Sequence, residues 1–360
     1  MKRFGQLIPK IAEPDNIYLA FYKAKRGKED KPEVLSFEAT LDENVSKLSQ
    51  SITLGNVDVG KYHRFTIMDP KKRTICAAAF DERVLHHAIM NICHPVFERQ
   101  MIYDTYATRI GKGVYKALEK ARKAALKYPF VGKLDVRKYF DSISHEILQN
   151  KLKRLFKDPI LLKIFNQIIC SYEVAPGKGI PIGNLTSQYF ANYYLSSLDH
   201  YVKEQLHVPC YVRYMDDMLI FGSSKSVVKE VIEQIVQYAA QQLDLQLKQP
   251  IVVNVRQGIS FCGYKLFEHK LLLNGRSKKR FKQKYIAYAK KLETNEWSQK
   301  DYQRHIIPLL AFTQHAYSKR FRRNMRSKVR EVEPCASWWQ LEQQRQELPR
   351  LESQQQQPRQ

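Results

Sequence analysis

The sequence predicts an α+β fold, and three observations carry that expectation. Short runs rich in branched and aromatic side chains, FVGKLDV (130–136), CYVRYMDDMLIFG (210–222) and IVVNVRQGISFCGYKLF (251–267), have the character of buried strands and hairpins. Longer segments with apolar residues at helical spacing separate them. The 360 residues, 44% of them hydrophobic, are enough for two or three packed subdomains sharing a sizeable core.

Taken in order, residues 1 to 60 are mixed and polar, with YLAFYKAKRGKEDKPEVLSF (18–37) expected as a helix leading into a charged loop. YHRFTIMDPKKRTI (62–75) predicts two short strands around an Asp-Pro-Lys-Lys turn. DERVLHHAIMNICHPVFERQM (81–101) has helical periodicity. GKGVYKALEKARKAALKYP (111–129) is a basic helix bounded by Gly and Pro. The strand 130–136 runs into RKYFDSISHEILQNKLKRLF (137–156), which turns helical, and ILLKIFNQIICSYE (160–173) adds another helix. The Gly-rich loop APGKGIPIGNLTSQ (175–188) opens into the helix YFANYYLSSLDHYVKEQL (189–206). A hairpin centred on Asp216, a long amphipathic helix at 226–245 and a closing hairpin at 251–267 follow. The Gln-rich end, QLEQQRQELPRLESQQQQPRQ (340–360), has the low complexity of disorder.

Charge narrows the partners. Sixty Lys and Arg against thirty-six Asp and Glu leave +24, the balance of a chain that seeks a polyanion, nucleic acid foremost. Between Leu271 and Arg330 there are seventeen Lys/Arg and three acids, with Phe281, Tyr285, Tyr288 and Phe321 interleaved. That mixture suits a backbone-gripping element, with Arg276, Lys278, Lys279, Arg280, Lys284, Lys319, Arg320, Arg322 and Arg323 as its candidate contacts. No apolar run is long enough for a membrane span, and the N-terminus lacks the pattern of a secretory signal. Six scattered cysteines without a CxxC pair argue against a zinc site. Cys76, Cys93, Cys170 and Cys262, in apolar contexts, are expected as buried thiols in a reducing, cytoplasmic compartment. His86 and His87 sit on a helix without carboxylate or cysteine partners at metal spacing, and neither GKG stretch completes a phosphate loop.

The chemistry concentrates in carboxylates. Asp216 and Asp217 stand in the middle of an apolar run, where unpaired carboxylates repel one another and are expensive to bury. Asp135 ends a strand eighty-one residues earlier. If the two strands are neighbours, Asp135 faces Asp216, and the converging oxygens suit hard divalent cations such as two Mg²⁺ ions, which can serve a phosphoryl displacement. The alternative is that each aspartate pairs with a nearby arginine, such as Arg213 or Arg137.

YMDD (214–217), preceded by LDVRKYFDSI (134–143) and GIPIGNLTSQYFANYYL (179–195) and followed by FCGYKLF (261–267), resembles a reverse transcriptase in order and spacing. The resemblance covers about Tyr62 to Arg330. It implies a right-hand polymerase fold: an N-terminal extension at 1–60, fingers at 61–130, a palm with an antiparallel sheet and finger insertions at 131–265, a basic helical thumb at 266–330 and a tail at 331–360. It also implies that Asp135 and Asp216 ligate two Mg²⁺, with Asp217 beside them and the Val136 carbonyl assisting. Phe140 matches an aromatic that blocks a ribose 2′-OH. Arg73, with Lys71 and Lys72, matches the strand that supplies cations to the incoming triphosphate, with Arg64 a further candidate, and Lys248 matches a lysine near it.

At PIGNLTSQ (181–188) the chain departs from the commoner Pro-Gln-Gly followed by Ser-Pro, having Ile182 for Gln, then Gly183, and Gln188 for Pro. This variant is similar to reverse transcriptases of diversity-generating retroelements of bacteria and phages. The implied activity is RNA-directed, error-prone DNA synthesis from a template-repeat RNA, with misincorporation opposite adenines. Template RNA, primer or cDNA, dNTPs and a small basic accessory variability protein are the implied partners. An apolar Ile182 offers only shape contacts to the nascent pair, worth about 1–3 kcal/mol of discrimination, which links it to low fidelity. The alternatives are a retron-like, group II-like or defence-associated reverse transcriptase, or a non-catalytic RNA-binding scaffold. A group II enzyme is expected to carry a further domain, and the retron signatures Val-Thr-Gly and Asn-Ala-x-x-His do not occur.

Overall fold

Four helices open the chain: α1 (Ile8–Ile11), α2 (Pro14–Lys25), α3 (Pro32–Ala39) and α4 (Leu41–Leu54). The computed structural model describes residues 3–68 and 72–326. The segment expected as a charged loop thus runs into α3, and α4 follows it. Both have few buried positions, Val34 in α3 and Val45 and Ile52 in α4, which is why their sequence looks loop-like. The start of α1 is tied down by Asp158, whose Oδ2 accepts from the Leu7 and Ile8 amides at 3.0 and 3.3 Å.

Strands β1 (Tyr62–Met68) and β2 (Lys72–Ala78) form an antiparallel hairpin running from Tyr62↔Ala78 to Met68↔Lys72. Helix α5 (Phe80–Glu98) follows directly and packs against α2; α6 (Val114–Lys127) is the basic helix. Strand β3 (Phe130–Asp135) leads through α7 (Tyr139–Ser142) to α8 (His145–Leu155) and α9 (Pro159–Cys170). The side chains of Ser144 and Asp158 cap α8 and α9 by accepting from backbone amides. The long helix expected at 189–206 is broken into α10 (Leu185–Tyr194), α11 (Ser196–His200) and a π-helical turn at Tyr201–Gln205.

Strands β4 (Cys210–Tyr214) and β5 (Asp217–Gly222) form the central hairpin, then come α12 (Lys225–Leu243) and β6 (Ile251–Asn254). The resulting sheet has the order β4-β5-β3-β6 and is antiparallel throughout. Of the hairpin expected at 251–267, only residues 259–266 pair with one another. The chain breaks at a 3₁₀ turn, Val255–Gln257, and at Gly258, whose φ is +75°. β6 therefore stays in the central sheet, while β7 (Ile259–Phe261), β8 (Tyr264–Leu266) and β9 (Leu271–Leu273) make a separate antiparallel sheet.

Helix α12 lies close against β3 because Gly132 has no side chain. A Cβ there would stand 2.7 Å from Val228 Cγ1 and 2.6 Å from Ile232 Cδ1. Since successive strand residues face opposite ways, Lys133 and Asp135 point away from α12. One large core, from Ile8 to Leu245, runs beneath these elements.

The chain divides into two compact units, up to Asn274 and from Gly275 onward. In the second, α13 (Gly275–Glu293), α14 (Gln299–Gln314) and α15 (Lys319–Arg326) surround their own core of Phe281, Tyr285, Tyr302, Ile306 and Met325. The Gln-rich segment and the tail boundary at 331 lie outside the described residues. Among those described, no helix is long and apolar enough to cross a membrane.

Candidate active site

The β4–β5 hairpin is closed by two residues, Met215 and Asp216, with Tyr214 opposite Asp217. Met215 takes φ +53°, a left-handed conformation that is strained for a side chain of its size. Asp216 is thereby carried to the tip of the turn, and the first residue of β5, Asp217, falls directly across from Asp135 at the end of β3. The expected pairing of Asp135 with Asp216 is corrected by one residue: the sheet register joins Asp135 to Asp217. The reason is the tight turn, which takes Asp216 out of the ladder. All three carboxylates still share one electrostatic neighbourhood, since Asp135 raises the pKa of both Asp216 and Asp217.

Burial is the main force on these groups. It pushes the Asp216 carboxyl up, Asp135 adds to the shift, and Lys248 and Arg73 oppose it. Asp217 is pushed up to about 6 by burial, opposed by Lys133, with Asp135 and Asp216 adding repulsion. Asp135 is met by the ammonium of Lys248, and the Lys248 amide donates to the Asp135 carbonyl at 2.8 Å. Lys133 donates to Asp217 Oδ2 at 3.1 Å and to the Ser260 carbonyl at 2.7 Å. Asp217 Oδ1 lies 3.0 Å from Lys133 Nζ, close enough for an ion pair, but it receives no hydrogen bond in satisfactory geometry. The arginine alternative is not what forms: Arg213 is fully buried against Asp199, and neither Arg213 nor Arg137 pairs with the three aspartates.

Nothing in the sequence singles out Lys133, although the alternation of FVGKLDV places it on the same strand face as Asp135. His86, expected without a carboxylate, has Glu82 one helical turn away, 3.4 Å between Nε2 and Oε1, both side chains buried. Glu82 Oε2 accepts from the Gly60 amide at 2.9 Å, so the pair braces the base of the β1–β2 hairpin. Cys76 and Cys93 are buried and Cys262 partly so, but Cys170, the last residue of α9, is exposed beside Asn166 and Gln149.

Among the described residues, no three His, Cys, Asp or Glu side chains are gathered as a ready-made metal cage. Two lysine ammoniums instead supply the positive charge that the carboxylates require. The donor set suits a hard cation nonetheless: carboxylate oxygens only, one of them buried without a hydrogen-bond donor, and two carboxyl groups with raised proton affinity. Val136, buried, continues β3 through a bridge to Leu247.

Arg73 lies exposed in β2, near enough to the hairpin tip to lower the Asp216 pKa. Lys72 is in the same strand, Arg64 is exposed in β1, and Lys71 lies outside the described residues. Phe140, in α7, is half-buried against the core and edge-on to Tyr139. Ile182 is half-buried, and its carbonyl accepts from the Cys76 amide at 2.9 Å, fastening the 180–184 loop to β2. Gly183 follows with φ +123°. A Cβ there would meet Ile75 Cγ2 at 2.9 Å and the Cys76 carbonyl at 3.3 Å, so this contact demands glycine. Gln188 is exposed on α10.

In the second unit, Arg276, Lys278, Lys279 and Arg280 are exposed on the first turns of α13, with Lys284 half-buried one turn further. Lys319, Arg320 and Arg323 are exposed on α15. Arg322 is engaged within the unit, donating to the Thr313 carbonyl at 3.3 Å and to Ser318 Oγ at 3.1 Å.

The chain is 20% identical over 241 residues to Protein YkfC of Escherichia coli (strain K12), a match covering 54% of this chain and 63% of that protein. It thus spans less than two thirds of the length of this curated relative. Among solved structures it is similar to telomerase from Candida albicans in complex with a fragment of telomeric RNA, at 13% identity and a TM-score of 0.46, over 84% of this chain and 62% of that one. It is also similar to apo telomerase from Candida tropicalis, at 12% identity and a TM-score of 0.44, over 69% and 57% of the two chains. Residues 68–266, more than half the sequence, match the model of the family described as reverse transcriptase (RNA-dependent DNA polymerase), and the chain belongs to that family.

Proposed function

We propose that the protein is an RNA-directed DNA polymerase whose reaction centre is formed by Asp135, Asp216 and Asp217. The observation that carries this reading is the convergence of three carboxylates on the β3 end and the β4–β5 turn, within electrostatic reach of Arg73. Asp135 and Asp216, with the Val136 carbonyl, would hold two Mg²⁺ ions. Bound there, the ions would supply the positive charge that activates a primer 3′-OH and steadies the leaving oxygen at the α-phosphate. Arg73 grips the triphosphate, with Lys72, Lys71 and Lys248 adding charge. Phe140 packs under the sugar and excludes a 2′-OH. The hand-like division into fingers, palm and thumb belongs to the same reading, with the basic faces of α13 and α15 on the template–primer backbone. A cytoplasmic setting accords with the scattered free thiols.

The finer reading is error-prone synthesis from a template-repeat RNA for targeted diversification of a gene, assisted by a small basic accessory protein. It rests on the resemblance at 181–188 and on Ile182, an apolar side chain fixed against β2 by its own backbone. Extension of a primer on defined RNA with Mg²⁺ and dNTPs, scored by template base, tests both levels. Errors concentrated at template adenines, and reduced in Ile182→Gln, are the expected result. Accurate synthesis would keep the polymerase and remove the diversifying role. No synthesis with cognate RNA and accessory protein present would overturn the enzyme itself.

A further inference from the structure

A buried ion pair lies directly beneath the turn that carries Asp216. Arg213 and Asp199 are both 0% exposed. The Arg213 Nε donates to Asp199 Oδ1 at 2.7 Å, and Nη2 donates to Asp199 Oδ2 at 2.5 Å and to the Asn192 carbonyl at 3.2 Å. Nη1 donates to Asn192 Oδ1 at 2.9 Å and to the Met215 carbonyl at 3.0 Å. These five bonds use every N–H of the guanidinium. Asn192 is itself fixed by donating to the Ala107 carbonyl at 2.9 Å, and Tyr211 donates its hydroxyl to Asp199 at 2.9 Å.

Stability alone does not account for such a pair, because well-packed apolar residues of similar volume usually do as well or better in a core. What apolar residues cannot do is donate to the Met215 carbonyl. Met215 is the strained residue of the turn, at φ +53°, and its carbonyl belongs to the peptide that leads into Asp216. Rotation of that peptide would swing the aspartate. Arg213 ties it to Asn192 on α10 and Asp199 on α11, two helices of the main core.

We propose that Arg213, held by Asp199 and Asn192, is a positioning residue that sets the Asp216 carboxylate for cation binding. This rests on the polymerase reading of Asp216. A lysine cannot reproduce the planar fork, although it keeps the charge opposite Asp199. In the full chain, Arg213→Lys should therefore weaken Mn²⁺ binding, followed by electron paramagnetic resonance, by about 10- to 100-fold, as removal of an orienting partner behind a metal ligand does elsewhere. The rate of single-turnover dNTP incorporation should fall by a similar factor, with RNA affinity within about twofold of the parent. Asn192→Ser, which spares the ion pair, should shift both quantities the same way and covers the case in which the lysine variant does not fold. Tyr211→Phe, which loosens the network away from the turn, should lower the melting temperature and leave Mn²⁺ affinity unchanged. Folded Arg213→Lys or Asn192→Ser with the parent's Mn²⁺ affinity and rate overturns the inference. So does a Tyr211→Phe variant as impaired as they are. If Asp216→Ala itself keeps parental Mn²⁺ affinity and incorporation, it is the polymerase reading that fails.

Discussion

Asp217 is partly buried at the start of β5, where the register sets it against Asp135, and its burial, more than that neighbour, has a cost. Its carboxyl is raised to about 6, above the ordinary value near 4 of an unfolded chain. A group with a raised folded pKa contributes stability below its unfolded pKa and loses it as pH rises through the folded one. The cation-free protein should therefore lose stability between about pH 4 and pH 6 through Asp217. Asp217→Asn should be more stable than the parent at pH 8, by about 1–3 kcal/mol, with the gap closing toward pH 4. A gap that does not change with pH, followed by thermal melting across that range, would contradict the electrostatic account. Phe140 supplies a second test at this scale. Phe140→Ala should raise ribonucleotide incorporation relative to deoxyribonucleotide, read as the ratio of kcat/KM values, without changing template affinity. The three aspartates were legible because a carboxylate in an apolar run demands an explanation. Asp199 was not, since a lone acid in a helical stretch, fourteen residues before Arg213, looks like any solvated side chain.

Elements hold these residues in place, and α12 packs closely on β3 at Gly132. Gly132→Ala would drive a methyl into Val228 and Ile232, so it should cost about 1–3 kcal/mol of stability, measured by denaturant unfolding, and slow incorporation by displacing Asp135. An unchanged unfolding midpoint would mean that α12 moves aside freely. At this scale the sequence was a partial guide. The β1–β2 hairpin and the helices α5, α6, α9 and α12 follow apolar periods that packing then uses. Of the last predicted hairpin only β7 and β8 pair, although both halves of the segment have strand composition. Only the positive φ at Gly258, and the short Val255–Gln257 turn before it, send them to different sheets. Helix α4 was not legible although Leu41, Val45, Leu48 and Ile52 keep a helical period, because charged and hydroxyl side chains fill the positions between.

For the whole molecule, net charge is the property most easily read and the one most directly tied to a partner. With a balance of +24, binding to RNA as proposed would be salt-dependent, and α13 concentrates basic residues in its first turns. Changing Arg276, Lys278, Lys279 and Arg280 to Gln should flatten the dependence of log affinity for RNA on log salt by about 0.7–0.9 for each phosphate that is no longer neutralised. An unaltered slope would place the backbone-gripping residues elsewhere. The basic segment expected from residue 266 and the second compact unit, which begins at Gly275, start nine residues apart. At the centre of the proposed function, Asp135 and Asp216 are the carboxylates that would hold the two ions. That assignment is tested most directly by single-turnover incorporation of one dNTP on an RNA template with Mg²⁺, comparing the parent with Asp135→Asn and Asp216→Asn. A loss of about a thousandfold or more in each variant, with RNA affinity and folding retained, is predicted for groups that hold the charge-stabilising ions. Incorporation at the parental rate in either folded variant would contradict it.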